Sequence, residues 1–250
     1  MSKHVIGDIH GCYYTLSKLI DKVLEQDKNP EFIFTGDYID RGLYSKSVIS
    51  FLLDLEKKYK CTFLLGNHDD VFKYLLGLSH VTNLGDYIFG KVTTQSIYDW
   101  MRVHGIKQTI DSFGIDNLEM LPEIDDYYLD FFRKLEIGYI DDKFFVFHGF
   151  YPNQEVPRDI RFIKGSQKEE LIWGRFDELL SNYNKYSQKW DRIGIFGHTP
   201  TRYITGKNEP LVLDKIVMID TEAYRGSFLT SYNTETGQFI QVPTDKRDIL

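Results

Sequence analysis

Seven short segments of the chain carry carboxylates, imidazoles, an amide and guanidiniums at spacings that suit chemistry. They are Gly7-Asp8-Ile9-His10-Gly11, Gly36-Asp37-Tyr38-Ile39-Asp40-Arg41-Gly42, Gly66-Asn67-His68-Asp69, His148-Gly149, Trp173-Gly174-Arg175, Gly197-His198-Thr199-Pro200 and Asp220-Thr221. The first three each follow a run that reads as a buried strand and precede one that reads as a helix. Their polar side chains therefore gather at the carboxyl ends of neighbouring strands, where parallel sheets collect ligands. Such a set suits two divalent ions and an attacking water. That chemistry needs hard oxygen ligands, imidazoles and one carboxylate able to bridge ions about 3.5–4 Å apart.

Asp8 and His10 lie two residues apart, so on an extended strand end both reach the same ion. Asp37, ending the next strand, is the natural bridging carboxylate, and Asn67, His148 and His198 supply neutral ligands. Mixed Asp, His and Asn ligation without Cys suits two Mn ions, with Fe and Zn as alternatives. Taken singly, each position has a bland reading. Gly-Asp pairs start many loops, a lone His is commonly a packed residue, and Asn after Gly suits a left-handed turn. Six such positions, each after a strand and in this order, are poorly explained by coincidence.

Four residues are spared from ligation and carry reaction roles. His68 with Asp40 forms an acid with an orienting carboxylate, which fixes the ring tautomer and raises its basicity. The other reading of Asp40 is a simple pair with Arg41. Arg41 and Arg175 are candidates to grip a phosphoryl group, because a planar guanidinium meets two oxygens at once and stays charged. An exposed helical arginine is the other reading of Arg175. His4, His80 and His104 lie outside every motif and take a structural reading.

The elements that must position these residues follow from periodicity. His4–Ile6, Phe32–Phe34 and Thr62–Leu65 read as strands. Helical spacing at positions 12, 16, 19, 20, 23 and 24, and again at Val48, Phe51, Leu52, Leu55 and Tyr59, separates them. A third helix begins near Asp69. This βαβαβ run predicts a parallel sheet with right-handed crossovers. Residues of about 78–135 break the rhythm and read as short aromatic-rich helices, an inserted helical cap over one side of the site. Strands resume near 136–140 and 143–147, joined at Asp141-Asp142. A helix is expected over Lys168–Tyr183, and strands at Ile193–Phe196, Ile216–Ile219, Phe228–Tyr232 and Phe239–Val242. The last two form a hairpin, and Lys246–Leu250 is expected to fray.

The chain has 250 residues, which fits a single domain over 1–250. Its formal charge of −7 argues against a broad nucleic-acid surface, though not against small phosphorylated substrates. No apolar stretch approaches a membrane span, and the chain starts directly in a strand, so a cytoplasmic setting is expected. Cys12 and Cys61 are too few for a disulfide scaffold and read as core packing. Neither opens the glycine-rich, arginine-ended loop of a thiol-based phosphatase.

The order and wording of these motifs resemble the phosphoprotein phosphatase branch of the calcineurin-like metallophosphoesterases, which also includes symmetrical diadenosine tetraphosphatases. That pattern is G-D-x-H-G, G-D-x-x-D-R-G, G-N-H-E/D, H-G or H-A-G, and a late G-H; here it runs from Gly7 to about Gly226. The resemblance implies an α/β four-layer sandwich, two mixed β-sheets flanked by helices, with metals held by loops at one sheet edge. It implies that Asp8, His10 and Asp37 bind the first ion, and that Asp37, Asn67, His148 and His198 bind the second. It assigns His68 and Asp40 to the acid pair and Arg175 to the second phosphate arginine. Tyr224 resembles a tyrosine that overhangs the site, with packing as its other reading. The chain departs from the pattern at Leu43 where proline is usual, at Asp69 in G-N-H-D, at Phe150 after His148-Gly149, and at Glu222 where glycine is expected after Asp220-Thr221.

These readings predict a dimetal-dependent phosphoester hydrolase acting by direct attack of a metal-bridging hydroxide. Its expected partner is a phosphorylated protein or a nucleotide. The Asp40-Arg41 pair favours a serine/threonine protein phosphatase. Asp69 and Gly11-Cys12-Tyr13 favour a symmetrical bis(5'-nucleosyl)-tetraphosphatase instead. A catalytically inactive binding scaffold on the same fold would have lost ligands, and none is lost.

Overall fold

The computed structural model describes residues 2–78, 94–116, 121, 123–153, 155–163, 166–176 and 183–249. Alternation of side chains along the strands builds the architecture. In β1 (Lys3–Ile6), Val5 turns one way and Ile6 the other. In β5 (Phe144–Phe147), Phe144 and Val146 oppose Phe145 and Phe147. A strand buried on both faces needs partners on both sides, and two packed sheets with outer helices satisfy that requirement.

The first sheet has the order β10-β9-β1-β2-β3. In it β1, β2 (Glu31–Phe34) and β3 (Cys61–Phe63) run parallel, and β9 (Phe228–Asn233) and β10 (Phe239–Pro243) are antiparallel. The second has the order β4-β5-β6-β8-β7. Its parallel centre is β5, β6 (Ile193–Phe196) and β8 (Ile216–Met218); β4 (Tyr139–Ile140) and β7 (Leu211–Leu213) form antiparallel edges. Val5, Ile33, Val146, Ile195 and Val217 interdigitate between the sheets. The outer faces carry separate clusters, one centred on helices α1 (Tyr13–Gln26) and α2 (Ser45–Glu56), the other on Phe150, Phe176 and Trp190. Two mixed sheets flanked by helices are thus as expected.

The βαβαβ start is as read. Helix α1 buries Leu16, Leu19, Ile20 and Val23 at helical spacing. Helix α3 (Asn67–Leu75) begins two residues before the expected start, because the Asp69 carboxylate turns back to accept the Gly66 N–H. Cys12 is buried and Cys61 packs on the same core. Burial pushes both thiols up, that of Cys61 to about 12, away from thiolate chemistry.

Three expectations change. The inserted segment, where described, forms α4 (Thr94–His104), α5 (Ile106–Phe113) and α6 (Asp126–Arg133). Among the described residues, Trp100, Val103 and His104 of α4 and Gln108 of α5 line the cleft, while Ile106, Ile110, Phe131 and Phe132 belong to the main core. The helix expected over Lys168–Tyr183 is instead α7 (Ser166–Trp173), ending before Gly174-Arg175. A separate helix α8 follows at Tyr183–Ser187, and residues 177–182 lie outside the described residues. Finally, the C-terminal segment does not fray. Lys246–Asp248 forms a 3-10 turn whose Asp248 is fully buried and accepts from Tyr14 N, Thr15 N and Thr15 Oγ1 at 2.9, 2.8 and 2.7 Å. It caps α1 from the far end of the chain. No helix among the described residues is long and apolar enough to cross a membrane.

Candidate active site

Every central parallel strand ends in a loop that delivers a polar side chain to one edge of the sandwich. Asp8 and His10 follow β1, Asp37, Asp40 and Arg41 follow β2, and Asn67 and His68 follow β3. His148 follows β5, His198 follows β6 and Asp220 follows β8. Of the seven non-glycine residues with positive φ among the described residues, six lie in these loops: His10, Asp37, Asp40, Arg41, His198 and Glu222. Left-handed backbone at such residues costs on the order of 1–3 kcal/mol each and persists where surroundings enforce it. The enforcement is visible at Asp37. Its N–H donates to Asp69 Oδ2 at 2.7 Å, and the next N–H, of Tyr38, donates to Asp69 Oδ1 at 3.2 Å. Gly66 lies so close that a Cβ there would strike the Asp37 carboxylate.

The two oxygens of Asp37 face different imidazoles. Oδ2 lies 3.3 Å from His10 Nε2, and Oδ1 lies 3.4 Å from His148 Nε2. Asn67 Oδ1 stands 3.1 Å from His148 Nε2 and 2.9 Å from His198 Nδ1. Two donor groups result, His10 with Asp37 and His68, and Asp37 with His148 and His198. They share Asp37, as a bridging carboxylate would require. The rings are oriented from behind: His10 Nδ1 contacts Ile39 O at 2.9 Å and His148 Nδ1 contacts Thr35 O at 3.0 Å. A proton on Nδ1 leaves each Nε2 lone pair turned toward Asp37. Asp8 stands beside both groups without belonging to either. It accepts from Thr35 Oγ1 and His198 N, each at 2.9 Å.

This donor set fits divalent ions. Burial pushes Asp37 up to about 8 and Asp8 well above the usual carboxylate range, while burial lowers His10, His148 and His198. Buried oxygens and imidazoles so destabilised as charges are matched by cations, which stabilise the ionised carboxylate and the neutral imidazole together. His198 turns Nδ1 toward the set, 2.9 Å from Asn67 Oδ1, while its other ring nitrogen faces the Trp173 backbone.

His68 and Asp40 meet as expected, Nδ1 to Oδ2 at 2.8 Å, both fully enclosed. Burial favours the neutral form of each, raising Asp40 to about 8 and lowering His68. Arg41 does not take Asp40 as a side-chain partner. Its guanidinium lies 3.2 Å from His68 Nε2 and stacks over the Tyr224 ring at 4.2 Å. Tyr224 also meets His10 edge-on at 5.0 Å, so it borders the site and does more than fill the core. Arg175 is exposed and lines the same cleft.

Sequence reasoning missed residues from the inserted segment. Thr109 of α5 hydrogen-bonds both the side chain and the backbone of Asp40, and Gly105 presses against the Arg41 backbone. His104, read as structural, lines the cleft and stacks on Trp100 at 4.2 Å. Trp100 in turn lies 5.0 Å from His68 and 5.6 Å from Trp173. No motif marks these positions; only an amphipathic reading of α4 with the site already placed could have found them. His4 takes its structural reading, buried against Ser231, and His80 lies outside the described residues.

The cleft above these groups measures about 660 Å³. It has imidazoles and carboxylates at its floor, aromatic rings on one wall and arginines at its rim.

Comparison with known proteins agrees with this geometry. The chain is similar over its length to a protein of Halalkalibacterium halodurans named bis(5'-nucleosyl)-tetraphosphatase PrpE (asymmetrical), 23% identical over 98% of this chain and 94% of the relative. A Haemophilus ducreyi protein named bis(5'-nucleosyl)-tetraphosphatase, symmetrical, is 30% identical over 41% of this chain and 38% of its own. The structure of a metallophosphoesterase from Sphaerobacter thermophilus shares the fold at a TM-score of 0.55 and 14% identity, covering 99% of this chain and 91% of that one. The family model described as calcineurin-like phosphoesterase matches residues 1–223. With its two sheets and its Asp37-centred donor set, the chain belongs to the calcineurin-like phosphoesterase family of hydrolases.

Proposed function

We propose that this phosphoesterase is a dimetal-dependent hydrolase of dinucleoside polyphosphates. The observation that carries the reading is the aromatic wall of Trp100, His104 and Trp173 beside His68. A leaving group that takes its proton at His68 has flat rings next to it. Stacking on aromatic faces is worth roughly 1–3 kcal/mol per base in nucleic-acid sites and suits a nucleoside. A phosphoserine side chain offers nothing to stack. The wall is anchored, since Trp173 Nε1 reaches Asp70 Oδ2 at 3.5 Å. Full-length similarity to a protein named as a bis(5'-nucleosyl)-tetraphosphatase supports the same class. The phosphoprotein reading favoured by Asp40 and Arg41 therefore becomes the second choice, since the intact acid pair serves either substrate.

In this reading Asp8, His10 and Asp37 hold one ion, and Asp37, Asn67, His148 and His198 hold the other. When bound, such ions supply Lewis acidity and make water a nucleophile at neutral pH. Mn remains the proposed metal, with Fe and Zn as alternatives. Arg41 and Arg175 grip the phosphoryl oxygens, and Tyr224 supports Arg41 from its ring face. Arg41 Nη2 caps His68 Nε2; once Arg41 turns to the phosphoryl group, Nε2 is free to take up a proton from water and pass it to the departing oxygen while Asp40 holds Nδ1. Rates on diadenosine tetraphosphate and on a phosphoserine peptide, measured side by side, test the assignment. A kcat/KM at least tenfold higher on the dinucleotide is expected (about one order of magnitude, within what one stacked ring supplies). A preference for the phosphopeptide would overturn it.

A further inference from the structure

Glu222 stands where a glycine is expected, and its backbone is left-handed at φ 55. A glutamate there is disfavoured over glycine, because its Cβ crowds the neighbouring carbonyl. Its side chain is nevertheless completely enclosed, so its retention needs a partner for the charge. Two partners are present. Oε2 accepts from Arg202 Nε at 2.7 Å, and Oε1 lies 3.1 Å from Arg225 Nε. Arg202 belongs to the short helix α9 (Thr201–Thr205), and Arg225 follows Tyr224 at the cleft rim.

Arg202 is held by Nε on Oε2, and Arg225 Nε sits at ion-pair distance from Oε1 while donating to the Tyr224 hydroxyl; both remain substantially exposed, at 39% and 54% of their side-chain surface. Among the described residues their terminal nitrogens donate to no protein acceptor. One buried carboxylate against two guanidiniums leaves a net positive charge, with the outer faces of two donor forks open. Tyr224 joins this pair to the reaction centre: Arg41 covers its ring, and its hydroxyl accepts from Arg225 Nε at 3.3 Å. A strip of positive charge thus runs from Arg41 past Tyr224 to Arg225.

A dinucleoside polyphosphate presents one phosphorus for attack and several further charged phosphates. Arg41 and Arg175 are committed to the attacked group, so the remaining phosphates need cations of their own. We propose that Arg225, fixed by Glu222 together with Arg202, is the binding site for the non-reacting phosphates of the substrate. The inference rests on the dinucleoside polyphosphate reading above. Guanidinium forks suit phosphate oxygens in this role, and anchoring through Nε orders them before substrate arrives.

The test compares kcat/KM on diadenosine tetraphosphate with kcat/KM on p-nitrophenyl phosphate, which has no distal phosphate, using the metal-loaded full chain. Arg225→Gln is expected to lower that ratio about tenfold or more, with Arg202→Gln acting in the same direction and Arg225→Lys recovering part of it. Both arginines are exposed, and circular dichroism of each variant verifies folding. If the wild type cleaves the dinucleotide and the ratio is the same in Arg225→Gln, the distal site is wrong while the functional reading stands. A wild type that turns over p-nitrophenyl phosphate and leaves the dinucleotide intact overturns the functional reading, and the distal site with it.

Discussion

Thr109 donates its hydroxyl to Asp40, 2.7 Å from Oγ1 to Oδ1, across 69 residues of chain. The same hydroxyl oxygen accepts the Asp40 N–H at 2.8 Å and lies 3.0 Å from Ser45 Oγ. Asp40 is left-handed at φ 69 and uses its other oxygen for His68. A helix of the inserted segment therefore fixes the geometry of the His68–Asp40 pair from behind. The insert is a support for the reaction centre as well as a wall of the cleft.

Thr109→Val keeps the shape and removes the hydroxyl. It leaves a buried carboxylate oxygen short of a partner and the Asp40 N–H with Ser45 Oγ alone, a loss of about 1–3 kcal/mol of stability. Turnover is expected to fall on the order of 10–100-fold for alkyl phosphates, whose poor leaving groups need a proton. The fall should be much smaller for p-nitrophenyl phosphate, and Thr109→Ser should restore both. Equal losses on the two substrates would reduce Thr109 to a packing role.

His68→Asn tests the acid itself. Its ring proton links Asp40 to the cleft, at 2.8 Å. Loss of a positioned acid costs roughly 10²–10⁴ in rate, and metal content by elemental analysis should be retained. Normal turnover of an alkyl phosphate by this variant would show that another group supplies the proton.

Asp37→Asn addresses the shared ligand, whose two oxygens lie 3.3 and 3.4 Å from different imidazoles. Binding of fewer than two ions per chain is expected in equilibrium dialysis. In the wild type, chelation should lower the melting temperature, because an ion bound only by the folded state stabilises it by mass action, about 2.7 kcal/mol at a hundredfold excess over Kd. Two ions per variant chain at unchanged affinity would refute a bridging role.

Asp248→Ala removes the cap that the C-terminal turn places on α1. Two first-turn amides and the Thr15 hydroxyl lose an acceptor, so a loss of about 1–3 kcal/mol is expected. Urea unfolding should show a lower midpoint with an unchanged slope. An unaltered midpoint would mean that water replaces the carboxylate at no cost.

The strand-loop-helix segments were legible because they are local. Alternation marks strands such as β5, helical spacing marks α1, and a polar residue after a strand falls at the sheet edge whatever the rest of the chain does. The closeness of Asp37 and Asn67 followed from their places after neighbouring parallel strands, whereas His148 and His198, on the second sheet, joined them through the family resemblance. Less legible was anything set by partners distant in sequence. Asp248 looked like part of a fraying end because a charged terminus is ordinarily solvated, and the free amides of α1 that bind it lie more than 230 residues earlier. His104 and Trp100 looked structural because nothing near them in sequence is reactive.

The sequence by itself pointed to the candidate donor residues, the parallel run of β1, β2 and β3 and the His68–Asp40 pair, since each depends on short-range geometry repeated along parallel strands. Tertiary structure alone decided that Thr109 braces Asp40, that Arg41 leaves Asp40 for His68 and Tyr224, and that Glu222 gathers two arginines at the rim. Those choices turn on which buried charges find partners in the folded chain, a contest that spacing along the sequence does not encode.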